Sequence, residues 1–178
     1  MIMGKRLGLR PLQSEDAQFL FKWHNDPRVL HRFRSPQMRF CISMEDERMS
    51  VIEMIRQKDA QHFIVVELKG NEPVGFIALS CIDRKNASSE IQVIIGEADR
   101  WGEGYCTDAV KLMVKYAFRV LNLHRICAKV SESTEECLKC FLGCGFNIEG
   151  RFRHDHFSGG EWRDTLILGI LVHEFGGD

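Results

Sequence analysis

Between Glu90 and Leu121 an extended apolar run, Ile91-Gln92-Val93-Ile94-Ile95, turns into a glycine-rich loop, Trp101-Gly102-Glu103-Gly104-Tyr105-Cys106-Thr107. A long amphipathic segment follows, with Ala109, Leu112, Met113, Tyr116, Ala117 and Val120 at helical spacing. A strand that feeds a glycine-rich loop opening a helix is an anion site in outline. Glycine lets the backbone approach a ligand, and the N–H groups of the first helical turn have no partner within the helix. Two glycines alone equally describe an ordinary strand-to-helix connection. The rest of the chain has to decide.

Composition sets outer limits. With 178 residues, 44% of them apolar and 28% charged, the chain has the makings of one globular domain spanning residues 1–178. A net charge of −1 gives no sign of a general binder of nucleic acid or anionic membrane. No apolar run is long enough for a bilayer, and Met1-Ile2-Met3-Gly4-Lys5-Arg6 lacks the pattern of a secretory signal. The seven cysteines, an odd number without a secreted framework's spacing, are therefore expected as reduced thiols in a cytoplasmic protein.

Taken in order, Leu7 and Leu9 alternate in a first strand ended by Arg10-Pro11. Ser14 is the expected N-cap of a helix with Ala17, Phe19, Leu20, Phe21 and Trp23 on its apolar face, broken at Asn25-Asp26-Pro27. A short helix is expected over 28–33 and a loop over 34–42. Ser43 then caps a third helix with Val51, Ile52, Met54 and Ile55 inward. Glu45-Asp46-Glu47 sits in its first turn, where the carboxylates could attract a cationic amine, although offsetting the helix dipole is their default role. Residues 63–68 and 74–82 form a hairpin about Lys69-Gly70-Asn71-Glu72. After the glycine-rich loop and its helix, ended by Asn122, come a strand over 124–130 and a helix over 134–144 stopped by Gly145. Strands over 147–157 and 162–171 join through Ser158-Gly159-Gly160. A meander followed by βα units requires a mixed sheet, with a ligand at the strands' carboxyl ends.

With these residues in place the sequence resembles the GNAT N-acetyltransferase superfamily, and within it the RimJ/RimL-like branch. The likeness runs through Leu9-Arg10-Pro11-Leu12 with Glu15-Asp16, Trp23-His24-Asn25-Asp26-Pro27-Arg28-Val29 and Pro73-Val74-Gly75. It is most specific at Trp101 to Ala109, and continues through Leu121-Asn122-Leu123-His124-Arg125, Gly145-Phe146, Glu149-Gly150, Gly160 and Asp164. The resemblance implies an α/β (α+β) fold of about seven strands, mostly antiparallel, with about four helices. The sheet would splay between its fourth and fifth strands, with acetyl-CoA in the splay.

By the same resemblance, the backbone of Ile94 and Ile95 would hold the pantetheine arm. The loop Trp101, Gly102, Glu103, Gly104, Tyr105, Cys106 and Thr107 would hold the pyrophosphate, and Thr134 and Phe141 would line the cofactor. The early helices would form one wall of the acceptor cleft, with Trp23, Asn25 and His154 as acceptor-site candidates. Trp23 fits a core position equally well. Relatives usually carry Gln or Arg at Trp101, Asn at Thr134, and at Phe141 a Tyr that serves as acid to the departing thiolate.

Acetyl transfer needs a neutral amine, a polarised thioester carbonyl and a thiolate able to leave. Glu90 is the candidate base, because strand alternation places it with Gln92 and Ile94 on the cleft face. An edge carboxylate paired with a Lys or Arg is the plain alternative. Tyr105 and Cys137 are candidate acids in place of the missing Tyr, unless the thiolate, with a pKa near ~8.5, needs none. No metal is expected. His154 and His156 lack a third ligand, and Cys137, Cys140 and Cys144 have the spacing of a buried helix face.

The function these readings lead to is acetyl transfer from acetyl-CoA to a primary amine, a protein N-terminus or a small molecule. Spermidine and nucleotide-linked amino sugars are the alternative acceptors, and a CoA-binding sensor without turnover is the rival from another class. Neither nucleic acid nor membrane is an expected partner, and a homodimer stays open.

Overall fold

The computed structural model describes residues 1–30 and 42–176. The helix expected over 28–33 appears within α2 (Pro27–Leu30); its remainder, and the loop over 34–42 except Ile42, lie outside the described residues.

Eight strands form one mixed sheet in the order β1-β2-β3-β4-β5-β6-β8-β7. They are β1 (Ile2–Met3), β2 (Leu7–Pro11), β3 (Gln61–Glu67), β4 (Glu72–Asp83), β5 (Ser88–Ile95), β6 (Arg125–Ser131), β7 (Asn147–Ser158) and β8 (Glu161–Leu171). The expected seven become eight because Ile2 and Met3 pair with Leu9 and Gly8, a two-residue strand too short to leave a pattern. Besides α2, four helices are described: α1 (Ala17–His24), α3 (Met44–Arg56), α4 (Tyr105–Arg119) and α5 (Glu135–Gly143).

Every neighbouring pair runs antiparallel except β5 and β6. Those two are parallel and share only three rungs, Ser88–Arg125, Ser89–Ile126 and Glu90–Cys127. Beyond Glu90 they part. This is the expected splay, between β5 and β6 once the extra first strand is counted.

Two apolar layers cover the sheet. On one face α4 buries Ala109, Val110, Met113, Val114, Ala117 and Phe118 in a cluster that includes Leu9, Val65, Ile77, Leu79 and Ile91. The expected stripe is rotated: Val110, Val114 and Phe118 face inward, and Val120, beyond the last turn, is 67% exposed. On the other face α1 and α3 bring Leu20, Trp23 and Val51 onto Ile64, Val66, Phe76 and Ala78. Ile55 is turned to solvent rather than inward, since α3 has a narrow apolar stripe.

Local rules explain most boundaries. Ser43 Oγ accepts the Asp46 N–H at 3.1 Å, the expected cap of α3. Ser14, by contrast, does not cap. A 3-10 turn over Ser14–Asp16 precedes α1, and buried Asp16 accepts the Gln13 N–H at 2.8 Å while Arg10 pairs with it at 2.7 Å. Gly145, at φ +92°, stops α5, with the Phe146 N–H returning to Phe141 O at 3.1 Å.

In β7 the alternation that would set His154 and His156 on one face fails. The ladder shifts between Phe152 and His156, and His154 sits in that irregularity at φ +48°.

Candidate active site

Where β5 and β6 part, a cleft of about 1090 Å³ opens. Glu90 to Ile95 border it on one side, and Lys129, Val130 and Ser131 on the other. The glycine-rich loop closes one end, and residues of α1 and α3 line the wall across the sheet.

Four tethers fix the loop. Trp101 Nε1 donates to Ile95 O at 2.8 Å, which gives the unusual Trp a structural role. Arg6 donates to Glu103 O at 2.9 Å and to Asp108 Oδ2 at 2.6 Å, and its guanidinium lies 4.2 Å from the centre of the Tyr105 ring. Tyr105 Oη donates to Glu67 Oε1 at 2.7 Å. Arg100 holds Glu67 Oε2 at 3.0 Å. The bond to Glu67, with burial, pushes the Tyr105 phenol above its ordinary pKa, so it keeps its proton.

The loop fits a pyrophosphate on three counts. Gly102 and Gly104 have φ of +81° and +82°, which turns the backbone where side chains seldom follow. Gly104 is the N-cap of α4 and no side chain caps that helix, so its first-turn N–H groups keep capacity for an anion. Arg6 offsets Asp108, the acid of that first turn. β5 beyond Glu90 has no ladder partner on its β6 side, which leaves backbone there for a pantetheine arm, with Ile95 O already accepting from Trp101.

Residues 6–147 match the acetyltransferase (GNAT) domain model. The chain belongs to the GNAT acetyltransferase family. Spermidine N(1)-acetyltransferase of Escherichia coli (strain K12) is 29% identical over 168 residues, covering 94% of this chain and 87% of that protein. An uncharacterized N-acetyltransferase, p20, of Bacillus licheniformis is 27% identical over 173 residues, covering 97% of each. The crystal structure of Vibrio cholerae spermidine N-acetyltransferase in complex with CoA and spermine superimposes with a TM-score of 0.86, at 24% identity, over 96% of this chain and 98% of that one.

As a GNAT acetyltransferase the chain is an acyltransferase, and most of the expected site residues come together. Glu90, Ile94, Ile95, Trp101, Gly102, Gly104, Tyr105, Cys106, Thr107, Thr134, Cys137 and Phe141 all border the cleft. Glu103 contributes its carbonyl to the loop's tether instead. Glu90 Oε2 pairs with Lys129 Nζ at 2.7 Å, as the plain reading of an edge carboxylate expected. Phe141 is buried edge-on against Phe146, with ring centres 5.0 Å apart. Cys140 and Cys144 join the core, and Cys106 Sγ and Cys140 Sγ stand 2.9 Å apart.

The acceptor-side candidates fare differently. Trp23 is core, 1% exposed, with its indole N–H on Glu97 at 2.9 Å. Asn25 closes α1 by donating to Phe21 O at 2.9 Å and reaches Ile42 O at 3.3 Å. His154 is exposed and outside the cleft lining. The wall is instead built by Leu20, His24, Glu47, Ser50, Glu53 and His62. For Glu47 the sequence offers attraction of a cationic amine only as the lesser reading, and for His62 it offers no signal. One looked like a dipole-offsetting acid, and the other was a single polar residue in a strand.

Proposed function

We propose that this protein moves the acetyl group of acetyl-CoA to a primary amine by direct attack within a ternary complex, and that the amine belongs to a small polycation of the polyamine class. The observation that carries the acceptor class is the acidic excess of the cleft lining: Asp46, Glu47 and Glu53 on α3, with Glu90 and Glu136, outnumber Arg100, Lys129 and Lys139. Relatives that cover nearly the whole chain and bear the name spermidine acetyltransferase support it.

In this reading the loop N–H groups and the first turn of α4 hold the pyrophosphate, and the β5 backbone beyond Glu90 holds the pantetheine arm. Holding both substrates supplies much of the rate. Glu90, at the sheet opening, accepts the amine's proton directly or through water. Tyr105 is committed to Glu67 and Phe141 has no proton to give, which leaves Cys137 on the cleft lining as the candidate acid, unless the thiolate leaves without one.

Phe141 is also the one feature that favours a second reading, a CoA-binding sensor without turnover. Release of free CoA across spermidine, spermine, a peptide with a free N-terminus and a nucleotide-linked amino sugar separates the readings. The polyamines are expected to give the highest kcat/KM. A preference for the peptide moves the acceptor to the N-terminal class of the RimJ/RimL-like branch. Tight CoA binding with no turnover on any amine establishes the sensor.

A further inference from the structure

Among the described residues two buried side-chain polar atoms lack a hydrogen-bond partner, Glu47 Oε1 and His62 Nδ1. Both residues border the cleft, on the wall formed with α1 and α3. Buried polar atoms without partners are costly and uncommon. Two of them on one wall mark places where a ligand completes the bonding.

Both atoms are acceptors. Glu47 is 1% exposed, and its other oxygen, Oε2, is held 2.7 Å from His24 Nδ1. His62 has its Nε2 2.9 Å from Gln57 Oε1, which fixes that nitrogen as the donor and leaves Nδ1 its lone pair. The ring is stacked on Phe76 at 5.9 Å, and burial holds its pKa below the ordinary histidine value, so it stays neutral. A phosphate or carboxylate group cannot satisfy two acceptors. An ammonium or amine group can.

The spacing gives the ligand's shape. Glu47 lies in the first turn of α3 and Gln57, beside His62, is its C-cap. Ten residues at the helical rise separate these ends by about 15 Å. Between them Ser50, Glu53 and Met54 also border the cleft, three to four residues apart and so on one helix face. His62 shares a rung with Ala78 and, through it, with Gln92 of β5, so its end of α3 is the one beside the sheet opening.

We propose that the face of α3 from Asp46 to Gln57 is an acceptor groove that takes an extended amine lengthwise. Its distal ammonium is held at Glu47, oriented by His24, and its reacting end lies at His62. This rests on the amine-acceptor reading and adds to it the residues that measure acceptor length and charge.

The test uses the full chain with a series of monoamines and α,ω-diamines of matched, increasing length. CoA release gives kcat and KM, and calorimetry gives CoA affinity and spermine affinity of the CoA-loaded protein. In the wild type, KM is expected to fall with diamine length, with no matching fall for monoamines. Glu47→Gln is expected to raise the long-diamine KM about 10- to 100-fold relative to the monoamine KM, the value of a hydrogen bond to a charged group. CoA affinity should stay unchanged.

An unaltered length dependence in Glu47→Gln, or an equal rise for both amine types, overturns the groove while leaving amine acetylation standing. Should Glu47→Gln fail to fold, Ser50→Lys, which sets a fixed cation midway along the face, must exclude long diamines selectively. If it does not, the groove is wrong. Absence of turnover on every amine, together with unaltered spermine binding in these variants, overturns both readings. Spermine binding that depends on Glu47 without turnover retains the groove and rejects the acetyltransferase reading.

Discussion

Glu90 Oε2, on the last rung that joins β5 to β6, stands 2.7 Å from Nζ of Lys129, two residues beyond that rung. The ion pair therefore spans the mouth of the opening where thioester and amine have to meet. A carboxylate there can serve as base or merely as a clamp on the two strands. Glu90→Gln keeps the shape and removes the proton acceptor. It is expected to lower kcat/KM by about 10²-fold, with the largest loss at low pH, where the amine most needs deprotonating. Lys129→Met breaks the same clamp but spares the carboxylate, and should cost less. Equal losses in the two variants, with pH–rate profiles of wild-type shape, would falsify the base assignment.

Gly104 and Gly102 share a left-handed backbone but not the same surroundings. A Cβ at Gly102 meets nothing within 4 Å, whereas at Gly104 it approaches Arg6 at 3.4 Å. Gly102→Ala should thus cost only backbone strain, about 1–2 kcal/mol of stability or local order. Gly104→Asp adds a negative charge at the N-cap of α4, against the pyrophosphate. Calorimetric titration with CoA should show a clearly larger loss of affinity for Gly104→Asp than for Gly102→Ala. Indistinguishable affinities would remove the pyrophosphate from this loop.

Burial holds the His62 imidazole below its ordinary pKa. In the unfolded chain the ring takes a proton near pH ~6.5. The folded protein resists that proton, so the unfolded state binds more protons below this point and stability falls as pH falls through the window. The contribution is fully present above pH ~6.5 and is lost towards the lower folded-state value. Replacing His62 by Gln removes the group. Urea unfolding from neutral to mildly acidic pH should show a shallower decline in the variant than in the wild type. A steeper decline in the variant would mean that the folded state favours the charged ring.

The parts of this molecule legible in its sequence are those governed by short-range rules. Ser43, Gly145 and the Gly159-Gly160 turn were predictable because caps and left-handed turns need particular residues nearby. The glycine-rich loop was legible as a left-handed turn into α4 because glycines mark that backbone. The wall across the sheet was legible only at its acidic first turn, Glu45-Asp46-Glu47, and there as the lesser reading. Glu47 owes its burial to α1 folding over α3, and the free nitrogen of His62 depends on where Gln57 ends that helix. Asp16 likewise displaced Ser14 as the local anchor because Arg10, on a preceding strand, reaches it. None of these contacts has a sequence period. The bulge at His154 shows the converse, where a two-residue alternation looked regular and the pairing was not.

Trp23 lies flat against Gly96, so close that a Cβ built there would overlap the indole ring. The ring has little freedom to withdraw. Its N–H is bonded to Glu97 at 2.9 Å, and Phe19 flanks it at 6.2 Å. Gly96→Ala is therefore an overpacking change of about 1–3 kcal/mol, enough to lower the melting temperature by several degrees in a chain of this size. The consequence reaches the acceptor wall, because the residue after Trp23 is His24, which holds Glu47. Displacing the indole should raise the acceptor KM more than the KM for acetyl-CoA. Trp23→Phe provides the control, since a smaller ring relieves the overlap while losing the bond to Glu97. The two changes touch one contact, so they should be non-additive, with Gly96→Ala costing less in the Trp23→Phe background than in the wild type. Strict additivity in melting experiments would show that the Gly96 backbone and the Trp23 ring do not constrain each other.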